Sequence, residues 1–541
     1  DVAVTGVQTC ALPIWPRTIY RHGNDWLSWS SAVDAVPGPV ASDRLYVTGD
    51  GAPKVRFNGS FYPLALARPS AAAHAATSST VDDANSFTVL YSYTWVTALD
   101  EESEPADLSN ELLVDTASTV TLTGFSAPPV GRLVDRMRIY RSQTSALGNT
   151  SLYFIAERAA GTGAFSDTIQ SNPIQEVIPS ADFNPPPDDL HGLTSLPNGM
   201  MAAFTGKKLY FCEPYMPHAW PEKYVLTLDY EIVGLGAFGS SVAIMTKGCP
   251  YVAQGTAPEN MTSERLEVNH PCLSALGIVD LGYAVAYPAP QGLVTISQNG
   301  AQVVSETVFT MDQWRAMQPE SFIAGQFAGR YMASYHYQDD AGTEREGIMM
   351  MDLSGSQPFL LRSSDSADAM FFEVGTGKLF LLRNGVDIYE WDAISEDYGE
   401  LLWRSKKFVT NTFSMFTCLL VEGDPSLTAV QLQEIATKNA ARRKRNRAML
   451  ASGQTGGSIA EVAIGRTAIG ASRLDPVDDV DITFSVTLYG DGNAIWTGYE
   501  MNKIMRLPGV RQYRTWEIEI RSNQSITALV LAYSPTEIAE G

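Results

Sequence analysis

Short apolar or alternating runs, most of them four to eight residues long and each closed by a glycine-containing turn, recur along much of this chain. They lie at 208–212, 242–246, 283–287, 293–297, 331–336, 348–353, 369–374 and 378–383. A run this short makes a strand, and a thin sheet of such strands buries too little apolar surface to be stable alone. The runs must therefore stack into a shared core. One sub-pattern appears twice, as Gly206-Lys207-Lys208-Leu209-Tyr210-Phe211 and as Gly377-Lys378-Leu379-Phe380-Leu381-Leu382. Repeats standing roughly 40 residues apart have the blade period of a β-propeller. The expected fold class is all-β, with propeller-like blades over 195–400; a jelly roll or stacked sandwiches are the competing arrangements.

The rest of the chain divides around that body. Residues 15–68 read as first propeller strands, with hairpin turns at Asp50-Gly51 and Asn58-Gly59, where glycine supplies the positive φ of a tight turn. An Ala-, Ser- and Thr-rich stretch over 69–85 reads as a linker. Residues 86–183 carry strands at 87–98, 119–122, 136–140, 152–157 and 164–168, the spacing of a fibronectin III- or Ig-like β-sandwich inserted into the body. In the first of these, Val89, Tyr91, Tyr93 and Trp95 share one face. Phe183-Asn184-Pro185-Pro186-Pro187 closes the unit as a stiff connector. Residues 401–541 read as a C-terminal β-sandwich, with strands at 403–409, 415–422, 481–489, 515–521 and 525–533. A helical insertion near 426–450 interrupts it, with Pro425 where the helix begins and an apolar stripe of Leu427, Val430, Leu432, Ile435 and Ala436.

A chain of 541 residues exceeds a single ordinary core, so two to four domains are expected. Charged residues make up 18%, below the average of roughly 25%, which favours life inside an assembly. The net charge of -22 argues against a broad basic face for nucleic acid and suits either plain solubility or a channel that DNA slides through. No stretch is long and apolar enough for a membrane-spanning helix. The five cysteines (Cys10, Cys212, Cys249, Cys272, Cys418) stand far apart without a C-x-x-C pair, so neither a zinc site nor a disulfide framework is expected.

Few motifs could carry chemistry. Gly234-x-Gly236-x-x-Gly239 fits a dinucleotide-binding pattern, but the following residues, 241–246, read as a strand where a phosphate site needs a helix; turn glycines are the simpler reading. Six scattered histidines (His22, His74, His191, His218, His270, His336) lack metal-ligand spacing. The paired carboxylates Glu101/Glu102, Asp339/Asp340 and Asp478/Asp479 could suggest a glycosidase, but each sits in a polar, turn-like stretch where solvated charge is the simpler account. There is no G-x-S-x-G, P-loop or H-E-x-x-H. No catalytic, cofactor or metal residue is therefore assigned. Pro217-His218-Ala219-Trp220-Pro221 reads as a loop anchor, with Tyr215 and Trp220 docking into the core and Pro217 and Pro221 stiffening the loop. Arg442, Arg443, Lys444, Arg445 and Arg447 form the one dense basic run. It reads as a solvated helix end favoured by the macrodipole, or as a contact for DNA or an acidic neighbour.

Several peptides resemble a widespread group of phage virion proteins. They are Trp26-Leu27-Ser28-Trp29, Tyr46-Val47-Thr48-Gly49-Asp50-Gly51-Ala52-Pro53, Tyr93-Thr94-Trp95-Val96-Thr97-Ala98 with Glu101-Glu102-Ser103-x-Pro105, Arg138-Ile139-Tyr140-Arg141, Pro217-His218-Ala219-Trp220-Pro221, Gly292-Leu293-Val294 and Arg506-Leu507-Pro508. In this order they are similar in plan to the tail nozzle, or tail tubular, proteins of short-tailed phages. That resemblance implies a virion tail protein assembled in the host bacterial cytoplasm. It further implies a homo-oligomeric ring that guides DNA ejection, with other tail or portal and adaptor proteins as neighbours and genomic DNA in transit. No cofactor follows from it. A receptor- or glycan-binding tail module and a polysaccharide depolymerase are the alternatives. Residues 4–14 (Val4-Thr5-Gly6-Val7-Gln8-Thr9-Cys10-Ala11-Leu12-Pro13-Ile14) resemble a translated sequencing adapter. Residues 1–14 are therefore expected to be foreign, Cys10 among them, with the first strands lost and propeller closure incomplete.

Overall fold

The computed structural model describes residues 16–144, 150–169, 175–338, 342–352, 359–393, 400–424, 429–451, 484–509 and 511–540. The protein is all-β: antiparallel sheets dominate, and the described helices are few. It divides into two compact units, one reaching to Trp391 and one running from Asp392 onward.

In the larger unit, five four-stranded antiparallel sheets follow the chain as meanders. The first comprises Asp34–Pro37, Leu45–Thr48, Lys54–Phe57 and Ser60–Pro63. The other four open with His191–Ser195, Ile232–Phe238, Val279–Asp280 and Ile323–Phe327. A three-stranded sheet opening with Ala369–Glu373 comes last, and the pair Thr18–His22 and Asp25–Trp29 forms a small sheet of its own. From His191 onward the opening strands start 41 to 47 residues apart, the repeat expected from the sequence. These opening strands lie beside one another from sheet to sheet, and Thr18–His22 lies beside Ala369–Glu373. Val33, Leu45 and Val47 pack with Tyr20, Leu27 and Trp29, which joins that small sheet to the first four-stranded one. Six of these seven sheets, together with Ala275, Leu276 and Ile278 just before the strand Val279–Asp280, line one central cavity of about 260 Å³.

Two of the three glycines of the Gly234-x-Gly236-x-x-Gly239 motif serve this packing, which corrects the turn-glycine reading. Gly234 and Gly236 lie within the Ile232–Phe238 strand, and only Gly239 sits in a turn. A Cβ on Gly236 would stand 2.6 Å from Val285 Cγ1, and one on Gly234 would collide with Ile278 Cδ1. The missing side chains let this sheet approach the next.

The inserted sandwich interrupts the body between Leu64 and Leu190, both of which belong to the body's core. It begins earlier than residue 86. The stretch read as a linker holds a strand, His74–Thr77, that pairs with Thr119–Thr123. Alternating small residues suffice for an edge strand there, and the deep positions Ala73 and Ala75 join the core. That core is aromatic, with Tyr91, Tyr93 and Trp95 fully buried against Met137 and Ile139. The run at 283–287 starts two residues late, as Val285–Ala289, because Gly282 takes a positive φ and Tyr283 turns outward.

The smaller unit faces two sheets across one core. Its larger sheet holds Leu401–Arg404, Phe408–Ser414, Tyr513–Ser522, Phe484–Gly490 and Asn493–Gly498; the other holds Met505–Arg506, Cys418–Asp424 and Ser525–Ala532. The run at 403–409 is broken, because Ser405 turns inward and its hydroxyl accepts from the Ile518 N–H at 2.9 Å. The helical insertion is the helix Ala429–Ala451; Pro425 and Leu427 lie outside the described residues.

Candidate functional site

The most elaborate polar site is the junction where the sandwich meets the body. A tight turn from Thr97 to Glu101, with Asp100 in the left-handed region, carries the chain back along the Tyr91–Thr97 strand. This return run lays Glu101 and Glu102 against the body. Both are buried, at 3% and 4% exposure, which corrects the reading of this pair as solvated charge.

Each carboxylate has a cationic partner, although Glu101 Oε1 and Arg132 Nε and Nη1 are buried without a hydrogen-bond partner. Glu102 Oε1 accepts from the Tyr140 hydroxyl at 2.6 Å, the Thr94 hydroxyl at 2.8 Å and the Ser180 hydroxyl at 3.0 Å. Its Oε2 accepts from Arg138 Nη1 at 2.8 Å. Glu101 Oε2 lies 2.6 Å from Arg132 Nη2, itself buried, which also donates to the Leu64 carbonyl of the body. Burial, then the Glu102 charge, pushes the Tyr140 hydroxyl well above its ordinary range, so it remains a donor.

His218 completes the junction from the body's side. It is 1% exposed, and its Nε2 stands 2.9 Å from the Glu102 carbonyl oxygen, so the neutral ring carries its proton there. Burial holds its pKa below the usual histidine value. Phe183 meets the ring edge-on. Trp220 is buried among Tyr46, Leu64 and Met201, and its indole N–H donates to the Pro217 carbonyl at 2.8 Å. Pro221 precedes a short 3-10 turn, Glu222–Tyr224. Tyr215 corrects the expectation of a second docked aromatic: it is more than half exposed, in a left-handed conformation, with its ring over Gly199.

This arrangement fixes the inserted sandwich to the body. At 3% and 4% exposure, little of either Glu101 or Glu102 is open to a substrate and a water together. The pairs Asp339/Asp340 and Asp478/Asp479 lie outside the described residues. Among the described residues no group of three His, Cys, Asp or Glu side chains converges as a metal site. No described helix is long and apolar enough to cross a membrane.

The central cavity brings together residues that sequence reading did not connect: Arg17, Thr18, Asp34 and His191 among apolar walls that include Phe204, Leu235 and Met370. The Asp34 carboxylate accepts from the Gly192 N–H at 2.9 Å and ties two sheets that the sandwich separates in sequence. The surrounding protein pushes its pKa up to about 6, although it borders the cavity.

The basic run lies in the smaller unit, on the helix Ala429–Ala451. Arg443, Lys444, Arg445 and Arg447 are exposed, and Arg442 is half-buried. The last helical turn contains no basic residue. The macrodipole acts within the last turn, so it does not account for this run, which corrects that part of the expectation.

The Glu101–Arg132 and Glu102–Arg138 pairings escaped sequence reading because the partners stand 31 and 36 residues apart. A signal was present: Arg136, Arg138 and Tyr140 alternate with Met137 and Ile139, so one strand face is lined with donors that need acids.

No protein-family model matches the chain, and no curated protein matches it in sequence. Solved structures with partial likeness include BBS1N in complex with ARL6DN (10% identity, 51% of this chain and 87% of that one, TM-score 0.23). PorZ of the type-IX secretion system of Porphyromonas gingivalis matches at 12% identity over 68% of this chain, which spans 42% of PorZ, with TM-score 0.22. An exo-β-1,3-galactanase from Phanerochaete chrysosporium matches at 9% identity over 83% of this chain and 100% of its own, again with TM-score 0.22.

Proposed function

We propose that this chain is a structural protein of a bacteriophage tail, a seven-bladed propeller carrying an inserted sandwich, whose copies form a nozzle-like ring that guides DNA. The observation that carries this reading is the junction just described. Glu101, Glu102, Arg132 and His218 are buried where the sandwich meets the body, as a force-bearing part requires. The motif order of short-tailed phage nozzle proteins supports the same reading.

The central cavity of about 260 Å³ sets where DNA can go. A duplex whose major groove alone is about 12 Å wide cannot enter it. The proposed DNA channel therefore runs between copies of the chain. An overall charge of -22 would let DNA slide along such a wall, while the exposed run from Arg442 to Arg447 would meet phosphate or an acidic neighbour at one place.

Negative-stain imaging of the purified chain tests the reading, with rings expected and lone particles contradicting it. Turnover of a capsular polysaccharide by the same preparation would replace it with a depolymerase. Changing Arg442, Arg443, Lys444, Arg445 and Arg447 to Gln should leave the fold intact and weaken DNA retention in assembled particles. Unchanged retention would remove the basic run from the account.

A further inference from the structure

The larger sheet of the smaller unit has two open edges of unlike chemistry. One edge is the column Leu401–Arg404 and Phe408–Ser414, which among the described residues pairs only with Tyr513–Ser522. The other is Asn493–Gly498, which among the described residues pairs only with Phe484–Gly490. The first edge is unusually apolar: Leu402, Trp403, Phe408, Val409 and Phe413 are between 40% and 63% exposed. Trp403 stands opposite Ile520 and Phe408 opposite Trp516, both core residues. Directly opposed residues share a sheet face, so these two rings project on the core side, past the cover of the facing three-stranded sheet. A long apolar edge left bare invites pairing with another strand.

Two features select the occupant. The first edge carries Arg404, Lys406 and Lys407, all exposed, with Arg404 and Lys407 beside Glu517 of their own sheet; the second is bracketed by exposed Asp491, which accepts from Thr515, and Glu500, which pairs with Lys503. The edges also run in opposite directions, because every neighbouring pair in this four-column sheet is antiparallel. A second copy set beside the first in the same orientation would present its Asn493–Gly498 edge antiparallel to Phe408–Ser414, continuing the sheet. The geometry points to head-to-tail association of copies of this chain, first edge to second edge. Such a heterologous contact closes into a ring when its rotation divides the circle. The inference rests on the ring reading above and assigns it an interface.

The test uses the full chain and mass photometry. A first-edge variant, Trp403→Lys with Phe408→Lys, and a second-edge variant, Ala494→Lys with Thr497→Lys, should each be monomeric at concentrations where the unaltered chain forms a closed oligomer. Mixed one to one, they should form dimers and nothing larger, because a single compatible pair of edges remains. Should the lysine pair at the first edge fail to fold, Leu402→Ser with Val409→Ser carries the same expectation, as a tenfold or greater rise in the concentration needed for assembly. Full-sized oligomers in both edge variants would overturn the assigned interface while leaving a ring. A monomeric unaltered chain would overturn the ring itself.

Discussion

The two β-sandwiches of this molecule treat their surfaces in opposite ways. The inserted sandwich turns charge inward: Glu101 and Glu102 are buried where it meets the body, and Arg132 is buried with them. The C-terminal sandwich turns apolar surface outward, with Trp403, Phe408 and Val409 exposed along an open strand edge. The first has found its partner within the chain, and its buried charges are paired there. The second has the composition of half an interface. Burial of charge marks a contact already made, and exposure of aromatic rings marks one still to be made.

The largest effect expected falls on the inward-facing sandwich. Glu101→Ala leaves Arg132 buried and unpaired, and should cost about 3–5 kcal/mol in the urea unfolding of the larger unit. The double change Glu101→Leu with Arg132→Met should recover most of that loss, since no charge is then stranded. If the single change cost less than the double one, the junction would not hold the charges as described. The same substitutions should leave assembly through the C-terminal edges intact wherever the chain stays folded, which separates the two kinds of surface.

A smaller loss is expected within the body. Gly236→Ala places a methyl group against Val285, where the nearest atom is 2.6 Å away, and should destabilise by about 1–3 kcal/mol. A neutral outcome would mean that the sheets around the cavity are loosely set. The smallest effect has the opposite sign. With its pKa raised to about 6, Asp34 binds its proton more tightly folded than unfolded, so its contribution is full below pH 4 and is lost as pH rises towards 6. Asp34→Asn keeps an acceptor for Gly192 and should flatten that slope. At pH 7 it should gain about 1 kcal/mol, the figure being discounted for the carboxylate's contact with cavity solvent. A pH titration of the melting temperature reads this directly.

Much of the architecture was legible because strand periodicity and turn glycines are local signals. The hairpins around Asn299-Gly300 and Gly377-Lys378 declared themselves through residues adjacent in sequence. What stayed hidden depended on distant partners. Ala75 is too small to advertise a strand until Leu122 stands across from it. Glu101 looks like a solvated turn residue until Arg132 and the body enclose it. Gly234 and Gly236 look like a phosphate loop or a turn until Ile278 and Val285 occupy the space beside them. The run at 403–409 reads as one strand, and nothing in its sequence tells that Trp403, Phe408 and Val409 stay exposed.

Native mass spectrometry of the full chain tests the central claim most directly, since closed rings have one integral number of 58.8 kDa subunits. The account predicts a single dominant multiple that does not grow with concentration. A 58.8 kDa species alone at every concentration, or an open-ended ladder of masses, would contradict it.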